Sequence, residues 1–268
     1  MLTHPNFDPV AFSIGPVSVH WYGVMYVLSF VSAYCLWNYR VKKYAHIVDP
    51  KWNSNVISDL IFYGALGAVI GGRIGYVLFY KFGYYLSNPL EILFVNQGGM
   101  SFHGGLLGVI VAMILFARKI DLPFWEVADF VAPVTPIGLF FGRMGNFVNQ
   151  ELWGKTTEVP WGMVFTNGGP LPRHPSMLYE ALLEGILLLL VLCWVARKKR
   201  PLGLLSGLFL IGYAASRMLV ELVRVPDQHL QYLLFDWVTM GQILSLPMMI
   251  FGCVLVFLAI RRDNRVKH

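Results

Sequence analysis

Seven runs of about 20 mostly apolar residues dominate this chain, and that is the length an α-helix needs to cross the hydrocarbon core of a bilayer. They cover residues 18–39, 60–80, 98–117, 128–148, 177–196, 202–223 and 237–260. Lipid offers no partner to a bare N–H or C=O, so runs of this length are expected to close their own hydrogen bonds as helices. The expected fold is therefore an all-α polytopic membrane protein with seven transmembrane helices, forming a single integral-membrane domain over residues 1–268. Composition agrees: 56% of the residues are hydrophobic and 13% charged, whereas about a quarter are charged in a soluble domain. A formal net charge of +6 raises the possibility of nucleic acid. The basic residues cluster beside apolar runs, which is a topology signal, so no nucleic-acid partner is expected.

That clustering sets an orientation. Arg40, Lys42, Lys43 and Lys51 follow the first run, and Arg118 and Lys119 the third. Arg197, Lys198, Lys199 and Arg200 follow the fifth, and Arg261, Arg262, Arg265 and Lys267 close the chain. Fourteen of the 21 Lys and Arg thus fall on one side, placing the N-terminus outside and the C-terminus in the cytoplasm. The first 16 residues lack the basic and apolar regions of a cleaved signal peptide. Cys35, Cys193 and Cys253 lie in apolar runs without metal or disulfide spacing and read as buried structural thiols. No metal site and no cofactor motif is found, and no internal repeat supports an inverted-repeat transporter.

Polar residues inside these runs converge on one depth. Counted from the cytoplasmic ends, Arg73 lies roughly 20 Å along the second run, and Arg143 and Arg217 about 22 Å along the fourth and sixth. His103 and the "HWYG" segment, with His20 and Tyr22, start runs that point inward, so they too fall in the outer-leaflet half. An intramembrane arginine costs at least about 2.5–3.5 kcal/mol unless it is paired or reaches water, so the convergence points to a site.

In "GRMGNFVNQELWG", Arg143, Asn146 and Gln150 recur at helical spacing, Gly142 and Gly145 leave room for an approaching group, and Glu151 can pair with an arginine. A plainer account is an interhelical hydrogen-bond cluster. Tyr213, Arg217, Glu221 and Arg224 form one stripe in which Glu221 reaches both arginines, and the surplus positive charge suits a phosphate. Glu180 and Glu184 read as counter-ions for the arginines. His103, between glycine pairs, is either structural or a base, and Arg73 is ambiguous. Gly64, Gly67, Gly71 and Gly75 form a small-residue packing seam. His4, His46, His229 and His268 show no partners and are expected to be solvated or interfacial. A positive outer-leaflet cavity fits an anionic lipid or solute. A transporter and a lipid-binding subunit remain alternatives to an enzyme.

Taken together, "HWYG", "GGRIGYVLFY", "GGMSFHGG", "GRMGNFVNQELWG", "RHPSMLYE" and "SGLFLIGYAASRMLVELVR" resemble, in the same order, the segments of bacterial prolipoprotein diacylglyceryl transferases. The resemblance implies a seven-helix enzyme of the bacterial cytoplasmic (inner) membrane, with its active site toward the outer leaflet and a small periplasmic segment between helices 4 and 5. It implies transfer of the diacylglyceryl group of phosphatidylglycerol to the lipobox cysteine of a preprolipoprotein signal peptide, forming a thioether and releasing glycerol phosphate. It implies catalytic roles for His103, Arg143 and Arg217. Substrate contacts are expected from Tyr22, Asn146, Glu151, Gly154, Tyr213 and Glu221, with Arg73 added from its depth. The bilayer itself is the remaining partner, and residues 155–171 carry no motif.

Overall fold

In the computed structural model, residues 2–95, 98–225 and 239–267 are described. The order is β1 (Leu2–Thr3), β2 (Val10–Ile14), β3 (Val17–His20), α1 (Trp21–Lys43), α2 (Ser54–Tyr80), α3 (Phe82–Ser87), α4 (Phe102–Lys119), α5 (Phe124–Val131) and α6 (Thr135–Val148). After these come β4 (Met163–Val164), α7 (Ser176–Glu180), a π turn (Ala181–Leu187), α8 (Leu188–Val195), α9 (Leu204–Glu221) and α10 (Met240–Lys267). Among the described residues five helices are long and apolar enough to cross a membrane: α2, α4, Ser176–Val195, α9 and α10. The chain is a mostly helical, multi-pass membrane protein.

Three expectations change. The 128–148 run is not one helix. α5 and α6 meet at a 44° bend, where Pro133 and Pro136 each lack the N–H that a continuous helix needs. Counted as one broken span, the pair makes six. α1 has length enough at 23 residues, but Trp, Tyr, Ser and Asn dilute its aliphatic residues, and it falls short of the other five. Residues 18–20, the start of that run, belong to the β2–β3 hairpin. Residues 237 and 238 of the last run, with His229 and His268, lie outside the described residues.

Large aliphatic and aromatic side chains point outward along the helices, Phe79, Leu190 and Phe257 among them. Water would penalise so much exposed apolar surface, whereas lipid does not. The cysteines follow the same rule. Cys35 and Cys253 are exposed and Cys193 half-buried, so the buried-thiol expectation fails: on a membrane helix the apolar face is the outer one.

The chain forms two compact units, residues 37–128 and residues 1–36 with 129–268. In the first, α2 and α4 pack backbone to backbone. A Cβ on Gly71 would lie 2.7 Å from Gly108 Cα, and one on Gly75 2.7 Å from Gly104 Cα, so only glycine permits this approach. Gly64 has nothing within 4 Å and is no part of the seam. Asn53 caps α2 by accepting from Asn55 N and Val56 N, and Ser101 caps α4 by accepting from Gly104 N. Lys51–Asp121 and Lys119–Asp59 ion pairs lie near the opposite end of α4.

In the second unit α6, the helix from Ser176 and α9 surround the polar centre, with α10 packed on α9. The Asp129 carboxylate, on α5, accepts from Gly203 N (2.7 Å), Ser206 N (2.8 Å) and Ser206 Oγ (2.6 Å). It thereby caps the N-terminus of α9, whose own cap residue is a glycine at φ 91°. Residues 149–175 make a small cap. β1 pairs in parallel with β4, Leu2 opposite Met163, over a core of Met163, Phe165 and Met177. Contrary to expectation His4 is not solvated. It is 1% exposed, donates from Nε2 to Phe147 O (2.9 Å) and accepts at Nδ1 from Asn6 N (3.0 Å). Burial pushes its pKa below the usual histidine value, in keeping with that neutral tautomer.

Candidate active site

Two linked clusters occupy the second unit. The first begins at Arg143 on α6. Its Nε faces Glu180 Oε2 at 2.8 Å and its Nη2 faces Glu184 Oε2 at 3.4 Å. Glu180 is the hub. Its Oε1 also accepts from Arg217 Nη1 and, at 3.0 Å, from Arg224 Nη1. Arg217 Nη2 pairs in turn with Glu221, four residues on along α9, and Glu221 Oε2 accepts from Thr239 Oγ1 at 2.8 Å. Glu180 and Glu184 are fully buried, whereas Arg143 and Arg217 keep 17% and 14% of their side chains exposed. The two arginines are therefore where an entering anion can reach the cluster.

The counter-ion role expected for Glu180 and Glu184 holds, and so does the double reach of Glu221, though Arg224 Nε stands 4.0 Å from it. The expected positive surplus does not survive the count. Three guanidiniums face three carboxylates, because Glu180 and Glu184 come in from a neighbouring helix and cancel what the α9 stripe leaves over.

The second cluster centres on Tyr22. Its hydroxyl donates to Glu151 Oε2 (2.9 Å) and accepts from Asn146 Nδ2. Asn146 Nδ2 also reaches Glu151 at 3.2 Å, and its Oδ1 lies 3.5 Å from Arg143 Nη1, which links the clusters. Gly145 makes room for this: a Cβ there would stand 3.1 Å from the Tyr22 ring. Glu151, expected to pair with an arginine, instead accepts from Tyr22, Asn146 and Asn149.

Local backbone explains that placement. α6 ends at Val148, and Gln150 and Leu152 both take left-handed backbone, φ 55° and 59°, each at a cost on the order of 1 kcal/mol. The resulting hook folds Glu151 back, its N–H donating to Asn146 O at 2.9 Å. Gln150 is therefore off the helical face predicted for it. It holds the cap instead, donating to Asn6 Oδ1 and accepting from Thr166 N. The hook closes at Gly154, which pairs antiparallel with Arg224 and donates to His174 O at 2.8 Å. A Cβ there would fall 2.5 Å from Val223 O and 2.9 Å from His174 Cβ, so glycine is required for the loop to reach the end of α9. Arg173 lies over the Trp153 ring at 4.1 Å and donates to Gly168 O. His174 Nδ1 meets the Tyr179 hydroxyl at 3.1 Å, and burial lowers its pKa.

Tyr213, one turn before Arg217, stacks on Phe209 with centroids 6.1 Å apart. Two predicted residues belong to the other unit. His103 is exposed in the first turn of α4, its ring against Phe102. Arg73 is buried and donates to four backbone carbonyls: Ile92 (2.8 Å), Gly98 (2.7 Å), Gly99 (3.2 Å) and Glu91 (2.6 Å). A guanidinium has five N–H donors, so Arg73 is nearly saturated as an anchor for the loop before α4, and a lipid-binding role does not fit it. The depth count misled there because loop carbonyls, not a ligand, satisfy the charge.

Fold and site together define an integral-membrane protein that buries a neutral arginine–carboxylate network among its helices and leaves the side chains of Arg143 and Arg217 partly exposed. Residues 9–258 match the sequence model of the prolipoprotein diacylglyceryl transferase family. Proteins named phosphatidylglycerol–prolipoprotein diacylglyceryl transferase are similar over nearly their whole length. The one from Aliivibrio salmonicida is 56% identical over 262 residues (98% of this chain, 91% of the relative). Those from Pseudomonas aeruginosa and Methylococcus capsulatus are 51% identical, covering 98% of this chain and 97% and 100% of the relative. The chain belongs to the prolipoprotein diacylglyceryl transferase family.

Proposed function

We propose that this protein is a phosphatidylglycerol–prolipoprotein diacylglyceryl transferase carrying out the first step of bacterial lipoprotein maturation. The full-length similarity to relatives of that name carries the reading, and the two partly exposed arginines supply the chemistry it needs. In the reaction the lipobox thiol gives up its proton, and a sulfur pair forms an S–C bond to the glyceryl carbon. The C–O bond to phosphate breaks, its electrons go to the phosphate oxygen, and glycerol phosphate departs. Arg143 and Arg217 hold the phosphate and offset the charge developing on it. A thiol of pKa about 8.5 is only a few per cent ionised at neutral pH, so the sulfur needs an acceptor. The resemblance of the "GGMSFHGG" motif makes His103 one candidate for that role; the alternative is that arginine positivity and positioning suffice. Tyr22 and Asn146 orient headgroup oxygens, Glu151 orients Tyr22, and Glu221 and Tyr213 fix and flank Arg217. Gly154 ties the hook to Arg224, and Arg73 holds its loop rather than the lipid.

For topology we propose seven spans, with α1 the first and α5–α6 a single broken one. The N-terminus and the small segment between the fourth and fifth spans are periplasmic and the C-terminus cytoplasmic, in the inner membrane, with the site facing the outer leaflet. The one-sided placement of Lys and Arg supports this. The test mixes purified protein with labelled phosphatidylglycerol and a lipobox peptide. Thioether product and glycerol phosphate are expected together. Arg143→Ala should lower the rate by about 10²-fold or more while eluting as a folded protein. Absence of both products with the wild-type protein refutes the reading.

A further inference from the structure

The arginine–carboxylate network is neutral, so an incoming phosphodiester adds a charge that something must balance. Its carboxylates are held unequally. Glu180 meets three arginines, and Glu221 has Arg217 and Thr239. Among the described residues Glu184 has a single ion pair, the 3.4 Å approach of Arg143 Nη2, and its Oε1 is buried without a hydrogen-bond partner. It lies in the π turn, a feature that recurs at functional sites. The charged and titratable groups facing it are Glu180 on its own helix, Arg143 from α6, and Tyr213 and Arg217 from α9. Arg217 is already committed to Glu180 and Glu221.

Arg143 comes closest through Nε, an ion-pair approach of 2.8 Å to Glu180 Oε2 that is not a well-aligned hydrogen bond. Its Nη1 and Nη2 stand 3.5 and 3.4 Å from their partners, at the weak limit of hydrogen bonding. They are the donors a phosphate can take with least loss. Once Nη2 turns to a phosphate, Glu184 is a buried carboxylate without a counter-ion, and such a group neutralises rather than remain charged. We propose that Glu184 takes up one proton when a phosphodiester headgroup binds Arg143, which keeps the cluster neutral and frees Arg143 for the lipid. Glu184 is thus a positioning residue that acts through Arg143. The inference rests on the proposed function, in which the phosphate is that of phosphatidylglycerol. Linkage sets the sign: affinity falls as pH rises, by up to about tenfold per pH unit once Glu184 is ionised in the free protein.

The test is calorimetric titration of the full-length protein in detergent with dihexanoyl phosphatidylglycerol, in two buffers of different ionisation heat. At a pH where Glu184 is ionised in the free protein, the wild-type protein should take up about one proton per lipid bound. Glu184→Gln, neutral and of the same shape, should bind without proton uptake and with pH-independent affinity, and Glu184→Asp should restore the uptake. Lipid binding without proton uptake in the wild type overturns the proposal and leaves the functional reading standing. Undiminished uptake in Glu184→Gln also overturns it. No lipid binding at all overturns the functional reading, and the proposal with it. The wild-type comparison stands whether or not either variant folds.

Discussion

Glu180→Gln is the perturbation that bears hardest on the arginine network. Glu180 is fully buried and meets Arg143 at 2.8 Å, Arg224 at 3.0 Å and Arg217 more closely still. Glutamine keeps the shape and removes the charge, so three guanidiniums are left with two carboxylates and a neutral cluster becomes net positive. Breaking a buried pair by removing one partner costs about 3–5 kcal/mol. At about 2–4 °C per kcal/mol for a chain of this order of size, the unfolding midpoint should fall by roughly 6–20 °C. Differential scanning fluorimetry in detergent reads this directly. The electrostatic account also predicts a rescue. Arg224→Met removes one surplus cation, so Glu180→Gln/Arg224→Met should recover about 1–3 kcal/mol of the loss, a coupling expected only between interacting sites. A Glu180→Gln midpoint within about 2 °C of wild type, or a double variant worse than the sum of the singles, would refute the reasoning.

Asp129→Ala leaves Gly203 N and the Ser206 N–H and hydroxyl without their acceptor and should destabilise by about 2–3 kcal/mol, with Asp129→Asn milder; thermal unfolding ranks the two. Gly71→Val should lower stability by at least about 1–3 kcal/mol through overpacking against Gly108, while Gly64→Val, facing open space, should leave the midpoint unchanged in the same assay. His4 has a lowered pKa, so the docked N-terminus is stabilised above the unfolded value of about 6.5 and loses that contribution as pH falls through the folded value. The protection factor of the His4 amide, whose N–H donates to Val164 O, should therefore fall on acidification more than the protection factors of the helix cores.

Much of this architecture is readable in the residues themselves. Hydrophobic length locates the helices, and the cost of charge in lipid marks Arg143, Arg217, Glu180 and Glu184 as mutual partners without any geometry. Reading fails where tertiary contacts replace local pattern. The spacing of Arg143, Asn146 and Gln150 fits one helical face, but α6 stops at Val148 and left-handed residues redirect the chain beyond it. Arg73 resembles the other two arginines in depth and differs only in having loop carbonyls within reach. Locally His4 meets Asn6 N and the Phe7 ring, but the acceptor that seats its Nε2–H is Phe147 O, 143 residues away. No local pattern encodes a bond of that span.

That distance has a consequence in time. The β1 strand can dock only once its partners Met163 and Val164 exist. At about 5–20 residues per second of synthesis they emerge roughly 10–30 s after Leu2 is made. The first residues of the chain therefore stay open through most of biogenesis, and they close late, together with the hook that carries Glu151. A nascent chain halted before residue 163 would carry Tyr22, Arg143 and the Phe147 carbonyl but not the Met163–Val164 strand on which β1 and the His4 N–H dock. Protection of the N-terminus from a protease would then report completion of the cap rather than insertion of the first helix.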